Sequence, residues 1–229
     1  MTLVWASGYN GIPDPDAQVY IAAVGAADGQ TLEEPIQFAI HEFVAGCKYD
    51  GIWDAIKASC ILAGARTLSG ALVPLKGLAP TNFNFVAGDY NRETGLVGDG
   101  STKYLKSNRN NNADPQNNKH LSVYVTSGTS GSGTTYIGAD GGGNGASNIN
   151  MSGAVRLHRG GPPAYVDNPG TAVGLFGASR SSSAQFVSRY NGVSKTHSLS
   201  SETPSNRVLT VFAMDNLGSM INYTQDRFS

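Results

Sequence analysis

Few residues in this chain have the types and spacing that chemistry needs. Past Glu93 the only glutamate is Glu202, and Asp99, Asp114, Asp140, Asp167, Asp215 and Asp226 stand singly, mostly beside Gly or Asn. Asp in that company is usually a turn residue. Glycoside hydrolysis needs two carboxylates about 5–5.5 Å apart for retention of configuration, and no Glu-x-Asp-x-Glu run supplies them. His41, His120, His158 and His197 are isolated, and no Gly-x-Ser-x-Gly elbow accompanies the many serines. His41 shares the polar side of its helix with Gln37, which predicts a solvent-facing ring. The expectation is a protein that is not an enzyme.

Two segments carry binding chemistry. The run from Gly177 to Ser183 places Arg180 and Ser182 ahead of Arg189 and Tyr190, and an arginine, hydroxyls and an aromatic on adjacent strands suit sugar hydroxyls. Packing and hydrogen bonding inside a sandwich would use the same residue types. The loop from Gly138 to Asn148 has oxygen donors, among them Asp140 and Asn144, that suit calcium. With one carboxylate it lacks the acidic density of a tight site, and a surface loop is the plainer reading. No cofactor is otherwise called for. Tyr104, Tyr124, Tyr136 and Tyr190 read as core or interface positions on strand spacing.

Composition limits the setting. A chain of 229 residues with 40% hydrophobic content can bury a sizeable core. Only 14% of its residues are charged, against roughly 25% on average, so Ser, Thr, Asn and Gly must cover the surface. The net charge is −1 and the basic residues are scattered, without the stripe expected of a nucleic-acid binder. Lys103, Lys106 and Arg109, the densest group, read as a solvated loop. Cys47 and Cys60 lie among apolar neighbours and read as reduced core residues, with a disulfide between them as the alternative. No apolar run is long enough to span a membrane, and no signal peptide is evident.

The elements that must position these residues change character near residue 80. Before it the spacing is helical. Asp14 or Asp16 caps a helix from Ala17 to about Ala27. Thr31 and Glu34 form a capping box for a second, with Ile36, Ile40, Phe43 and Cys47 on one face. A third follows with Ile52, Ile56, Cys60 and Ala63 along one side. After Pro80 come short apolar runs cut by Gly, Ser and Asn. Strands are expected at Phe83–Val86, within Thr94–Leu105, and at Leu121–Thr126, Thr134–Ala139, Gly153–His158, Ala172–Ser179, Ala184–Tyr190, Arg207–Ala213 and Ser219–Thr224, with Asp140–Asn148 a loop. That pattern predicts an antiparallel sandwich or jelly roll, so the expected domains are a helical segment, 1–80, and a β domain, 81–229.

The run Gly95-Leu-Val-Gly-Asp-Gly-Ser-Thr-Lys-Tyr-Leu105 resembles an early strand pair of laminin-G-like and concanavalin A-like jelly rolls. His120-Leu-Ser-Val-Tyr-Val-Thr126, the strand ending in Ile137-Gly138, and Arg207-Val-Leu-Thr-Val-Phe-Ala213 are similar to later strands of that fold. Across most of residues 16–228 the chain also resembles structural proteins of tailed bacteriophages, particularly marine phages. Asp50-Gly-Ile-Trp-Asp-Ala-Ile-Lys-Ala-Ser-Cys60, Asn84-Phe85 and Asp89-Tyr-Asn-Arg-Glu-Thr-Gly-Leu96 carry that likeness. The phage resemblance implies a virion component: a tail-fibre or host-attachment part displaying a lectin-like domain to cell-surface glycan, or a capsid decoration protein. It implies other virion proteins as partners and a homo-oligomer, for which a trimer is the guess. The helical segment would dock to the particle or pack on the sandwich. In those proteins a further strand or two follows the position of Arg227, so Leu3–Ala6 or a neighbouring subunit would have to close this sandwich.

Overall fold

The computed structural model describes residues 14–128, 133–150, 154–159, 164–165 and 173–229. The chain divides into two units, Met1–Gly77 and Leu78–Ser229. The expected strand Leu3–Ala6 lies outside the described residues.

In the first unit, helix α1 (Pro15–Asp28) begins where the Asp14 side chain accepts from the Asp16 N–H and ends at Gly29, whose φ is 70°. It buries Ala17, Tyr20, Ile21 and Val24, the i, i+3, i+4, i+7 set of one helical face. Helix α2 (Glu34–Tyr49) buries Ile40, Val44 and Cys47. Phe43, expected on that face, is exposed. The expected capping box is absent: Glu33 is the N-cap, without a side-chain cap bond, and Gln37 donates to the Leu32 carbonyl instead. His41 is not solvent-facing, since its Nδ1 accepts from the Asp14 N–H at 2.7 Å.

The expected third helix does not form. Trp53–Ala55 is a single 3-10 turn, and strand β1 (Ser59–Cys60) pairs antiparallel with β2 (Pro74–Lys76). Between them a one-turn helix, α3 (Leu68–Ala71), is capped by Thr67. Asp28, at the end of α1, holds this segment by accepting from the N–H groups of Arg66 and Thr67 and from the Thr67 hydroxyl. Pairing of Ser59–Cys60 with Pro74–Lys76 thus takes the place of the helical periodicity that Ile52, Ile56 and Cys60 suggest. Neither cysteine is bridged: Cys47 is buried and Cys60 half-buried. No helix among the described residues is long and apolar enough to cross a membrane.

The second unit is mainly β. Its strands are β3 (Thr81–Phe83), β4 (Tyr90–Asn91), β5 (Gly95–Val97), β6 (Tyr104–Asn110), β7 (Lys119–Ser127), β8 (Thr135–Asp140), β9 (Ala146–Asn150), β10 (Ala154–Arg159) and β11 (Ala164–Tyr165), followed by β12 (Gly174–Arg180), β13 (Phe186–Tyr190), β14 (Val193–His197), β15 (Val208–Val211), β16 (Met214–Asn216), β17 (Ser219–Ile221) and β18 (Arg227–Phe228). One sheet runs β11-β10-β9-β8-β15-β6-β3, with β16 and β17 attached through β8, and has nine strands; the other, β14-β13-β12-β7-β18-β5-β4, has seven. Every pairing is antiparallel except that of β16 with β8. This is the arrangement of a β-sandwich.

Aromatic rings join the sheets. Phe85 meets Phe212 at 4.9 Å, Phe212 stacks on Phe228 at 4.2 Å, and Phe228 meets Tyr136 at 5.3 Å. Tyr136 then meets Phe176 at 5.3 Å, and Phe176 meets Tyr190 at 4.5 Å. Tyr136 comes from the nine-stranded sheet, and Phe228, Phe176 and Tyr190 from the seven-stranded one.

Phe228 reaches this chain because β18 inserts between β5 and β7. Arg227–Phe228 is therefore itself a closing strand of the sheet. Gly95 permits the approach, for a Cβ there would overlap the Phe228 carbonyl. Phe228→Ala should cost about 3–5 kcal/mol, the usual range for a buried Phe truncation. Urea unfolding followed by far-ultraviolet circular dichroism measures that loss.

Candidate functional site: the outer face of the seven-stranded sheet

Strand alternation sorts the side chains of this sheet. On β12, Phe176, Ala178 and Arg180 point into the sandwich, while Leu175 and Ser179 are exposed. On β13, Phe186, Ser188 and Tyr190 are buried and Arg189 is exposed. On β7, Leu121 and Val125 are buried, and His120, Ser122 and Tyr124 are exposed.

Register then assembles the outer face. Gly177 of β12 lies between Ser122 of β7 and Arg189 of β13, Ser179 between His120 and Val187, and Leu175 opposite Tyr124. The outward row therefore dips at Gly177, which has no side chain and whose backbone is itself buried. His120 and Ser122 stand on one side and Arg189 on the other, and Tyr124 (48% exposed) and Leu175 (42%) form an apolar shelf below. The His120 Nδ1 is paired with the Ser179 hydroxyl at 2.7 Å.

Gly177 has no structural reason to be glycine. Its φ lies outside the left-handed region, and a Cβ would meet the His120 ring at 3.7 Å, the Leu121 carbonyl at 3.7 Å and the Ser122 Cβ at 3.8 Å, all ordinary contacts. A strand glycine that neither conformation nor crowding explains is one way to leave room for a ligand.

Of the four residues expected to bind sugar, the fold leaves only Arg189 on this face. Arg180 is 1% exposed. Its Nε donates to the Leu157 carbonyl, its NH1 faces those of Ser182, Ser183 and Gln185, and its NH2 donates to that of Leu199. It is an internal tie, not a ligand contact. Tyr190 is 7% exposed, packs on Phe176 and donates to the Val173 carbonyl at 2.6 Å, so it belongs to the core. Ser182 sits in the turn after β12, with its hydroxyl on the Gln185 carbonyl. The physical reason is parity: an arginine and a tyrosine ten residues apart both fall on inward positions, and Arg189 falls outward. Tyr124 is not a core residue, being 48% exposed, and Ser122 and Leu175 join this face without a signal of their own in the motif reading. Their shared parity on β7 and β12 was the available signal.

The other candidate chemistry is engaged elsewhere. Asp140 accepts from the Gly143 N–H at 2.7 Å, closing its own turn, and Asn144 is exposed. The nearby acid is Glu202, whose carboxylate accepts from the Gly145 N–H at 3.0 Å. Among the described residues no group of three His, Cys, Asp or Glu converges as a metal site. Ser188 pairs with the His197 Nε2 at 2.7 Å, but both are buried, which leaves this hydroxyl no route to a substrate. Burial pushes the Cys60 thiol up to about 12, so it holds no thiolate near neutrality.

The group Lys103, Lys106 and Arg109 is not the solvated loop expected, since Lys106 and Arg109 lie on strand β6. Lys103 pairs with Asp89, and Asp114 is held by both Arg109 and the buried Lys119. Burial alone would raise the Asp114 carboxyl, but hydrogen bonds from Lys119 and Arg109 outweigh it and hold the group below the usual carboxylate range.

No protein-family model, curated protein or solved structure matches the chain.

Two outcomes are expected. Arg180→Lys keeps the charge but strands most of the carbonyls that the guanidinium serves, so unfolding free energy should fall by roughly 2–4 kcal/mol. Because the folded Asp114 carboxyl lies below its unfolded value, its contribution is complete above about pH 4. It is lost as pH falls from there through the folded pKa. Asp114→Asn should therefore flatten the acid limb of the stability–pH curve, read from urea midpoints.

Proposed function

We propose that this protein is a bacteriophage virion component that displays its sandwich on the particle surface and binds host-cell glycan as part of a tail fibre or attachment apparatus. The reading takes the sandwich to be a laminin-G- or concanavalin A-like jelly roll and the helical unit to anchor it to the particle, in a homo-oligomer. The sequence resemblance supports the virion setting. One observation carries the binding role, the unforced glycine at position 177 beside an exposed arginine and an exposed tyrosine.

The chemistry of the face suits a saccharide. A sugar ring offers an apolar face and a rim of hydroxyls. The Tyr124–Leu175 shelf can cover the first, while Ser122, Ser179 and the Arg189 guanidinium can meet the second. Among the described residues the strands of this face carry no Asp or Glu, which suits recognition without hydrolysis.

A second reading rests on a separate observation. Val173, Leu175 and Val193 are exposed near the Asn191-Gly192 turn, where Asn191 bonds to both Val173 and Leu175. A small apolar patch of this kind also suits a contact buried only on an assembled particle, which would make the protein a capsid decoration component.

Gly177→Leu tests the first reading directly. A Cβ there meets only ordinary contacts, and the rest of the leucine would fill the outward row between Ser122 and Arg189. On a glycan array the parent protein should show saccharide hits that this variant loses, with its unfolding midpoint unchanged. Retention of every hit would remove the face from the reading. Cryo-electron microscopy of phage particles should place the protein at the tail. Copies over the capsid lattice would favour decoration, and absence from the particle would sink both.

A further inference from the structure

The charge on the seven-stranded sheet is one-sided. Its strands carry Lys119, Arg180, Arg189, Lys195 and Arg227, together with His120 and His197, and not one Asp or Glu. The whole chain has 16 basic and 17 acidic residues, so this bias belongs to the sheet. Lys119 and Arg180 are buried and engaged, as described above. Arg227 donates to the Gly95 carbonyl at 2.6 Å. Arg189 differs: it is exposed, and its guanidinium has neither a hydrogen bond nor an ion pair among the described residues.

The neutral groups around Arg189 sharpen the point. Its outward neighbours across the strands are Ser194 on β14 and, past Gly177, Ser122 on β7. None of these is a carboxylate or an amide, the groups that accept strongly from the hydroxyls of a neutral sugar. The face therefore offers a charged planar donor and small hydroxyls. A planar guanidinium is the side chain best matched to a carboxylate or sulfate, which it can engage through two parallel N–H···O bonds.

We infer that the saccharide taken by this face is acidic: a uronic acid or sulfated sugar whose anionic group sits on Arg189 over Gly177, with its ring against Tyr124 and Leu175. The inference rests on the glycan-binding reading and adds the ligand class to it. Carboxylate and sulfate share the recognition chemistry, and the probes below separate them. With one guanidinium at its side, unpaired among the described residues, the site selects for a single placed anion. A long phosphate backbone would need a stripe of cations instead.

The test is titration calorimetry of the intact chain with three probes: a short oligogalacturonate, the same oligomer with its carboxyl groups reduced to alcohols, and dextran sulfate. The parent should bind oligogalacturonate or dextran sulfate, and whichever binds identifies carboxylate or sulfate as the anion. Binding should weaken as salt rises. Arg189→Gln should lose roughly tenfold to a hundredfold in affinity, the range of a hydrogen bond to a charged group. Arg189→Lys should recover part of it, and Arg227→Gln should change little. Equal affinity for the reduced oligomer would overturn the acidic ligand while leaving the face as a neutral-sugar site. Acidic binding that Arg189→Gln leaves intact would overturn the role of Arg189 and indicate diffuse attraction to the sheet. Failure of every probe, together with glycan-array hits that Gly177→Leu abolishes, would overturn the acidic class alone. Failure of every probe with an empty array would remove the binding reading as well.

Discussion

The run of six rings from Phe85 through Phe212, Phe228, Tyr136 and Phe176 to Tyr190 is what makes two sheets into one body. Each ring has a neighbour within about the range in which aromatic pairs add to their area burial, and the contacts cross repeatedly between the sheets. Several local features follow from keeping the chain continuous. Phe212 adopts a left-handed φ of 70° in the bend between β15 and β16, its N–H bonds to the Tyr136 carbonyl, and its own carbonyl accepts from Thr224. Burial and the adjacent Asp226 carboxylate hold the Tyr136 hydroxyl well above the ordinary phenol range, so the ring stays neutral inside the sandwich.

That inner packing also decides what the outside can do. Once Phe176, Phe186 and Tyr190 must face the rings, alternation commits Arg180 inward and Leu175, Ser179 and Arg189 outward. Arg180 is tolerated in the interior because backbone carbonyls on several segments accept from it, which ties the turn after β12 to β10. Lys119 is tolerated because Asp114 meets it. The two buried cations therefore serve the fold, and Arg189 on the outer face has no hydrogen bond or ion pair among the described residues.

The strongest departures from sequence reading are polar. Ala146–Asn148 reads as the end of a Gly/Asn loop, yet it opens a strand, Ala146–Asn150, buried along its whole length. Asn148 donates to Asn150, which also accepts from Thr135, and the Asn148 amide approaches the Met214 sulfur. Amide-to-amide bonding lets a segment without hydrophobic alternation lie in a sheet interior, and no periodicity rule detects it. Strand β14 was legible in principle, since Asn191-Gly192 between two alternating runs is a strong hairpin signal. The segment after Ile52 was not, because its helical spacing yields to long-range pairing of Ser59–Cys60 with Pro74–Lys76.

From the order of its residues alone, the chain determined the division into a helical and a β-rich part, the first two helices and most of the long strands. These depend on local periodicity, turn residues and composition, which any short window contains. Which strands are neighbours, that Arg227–Phe228 enters between β5 and β7, and that Gly177 lies between Ser122 and Arg189 were decided only by the tertiary structure. Pairing joins residues far apart in the chain, and a shift of one position in register moves every side chain to the opposite face. The dip at Gly177 is a product of register, and no single segment of the chain contains it.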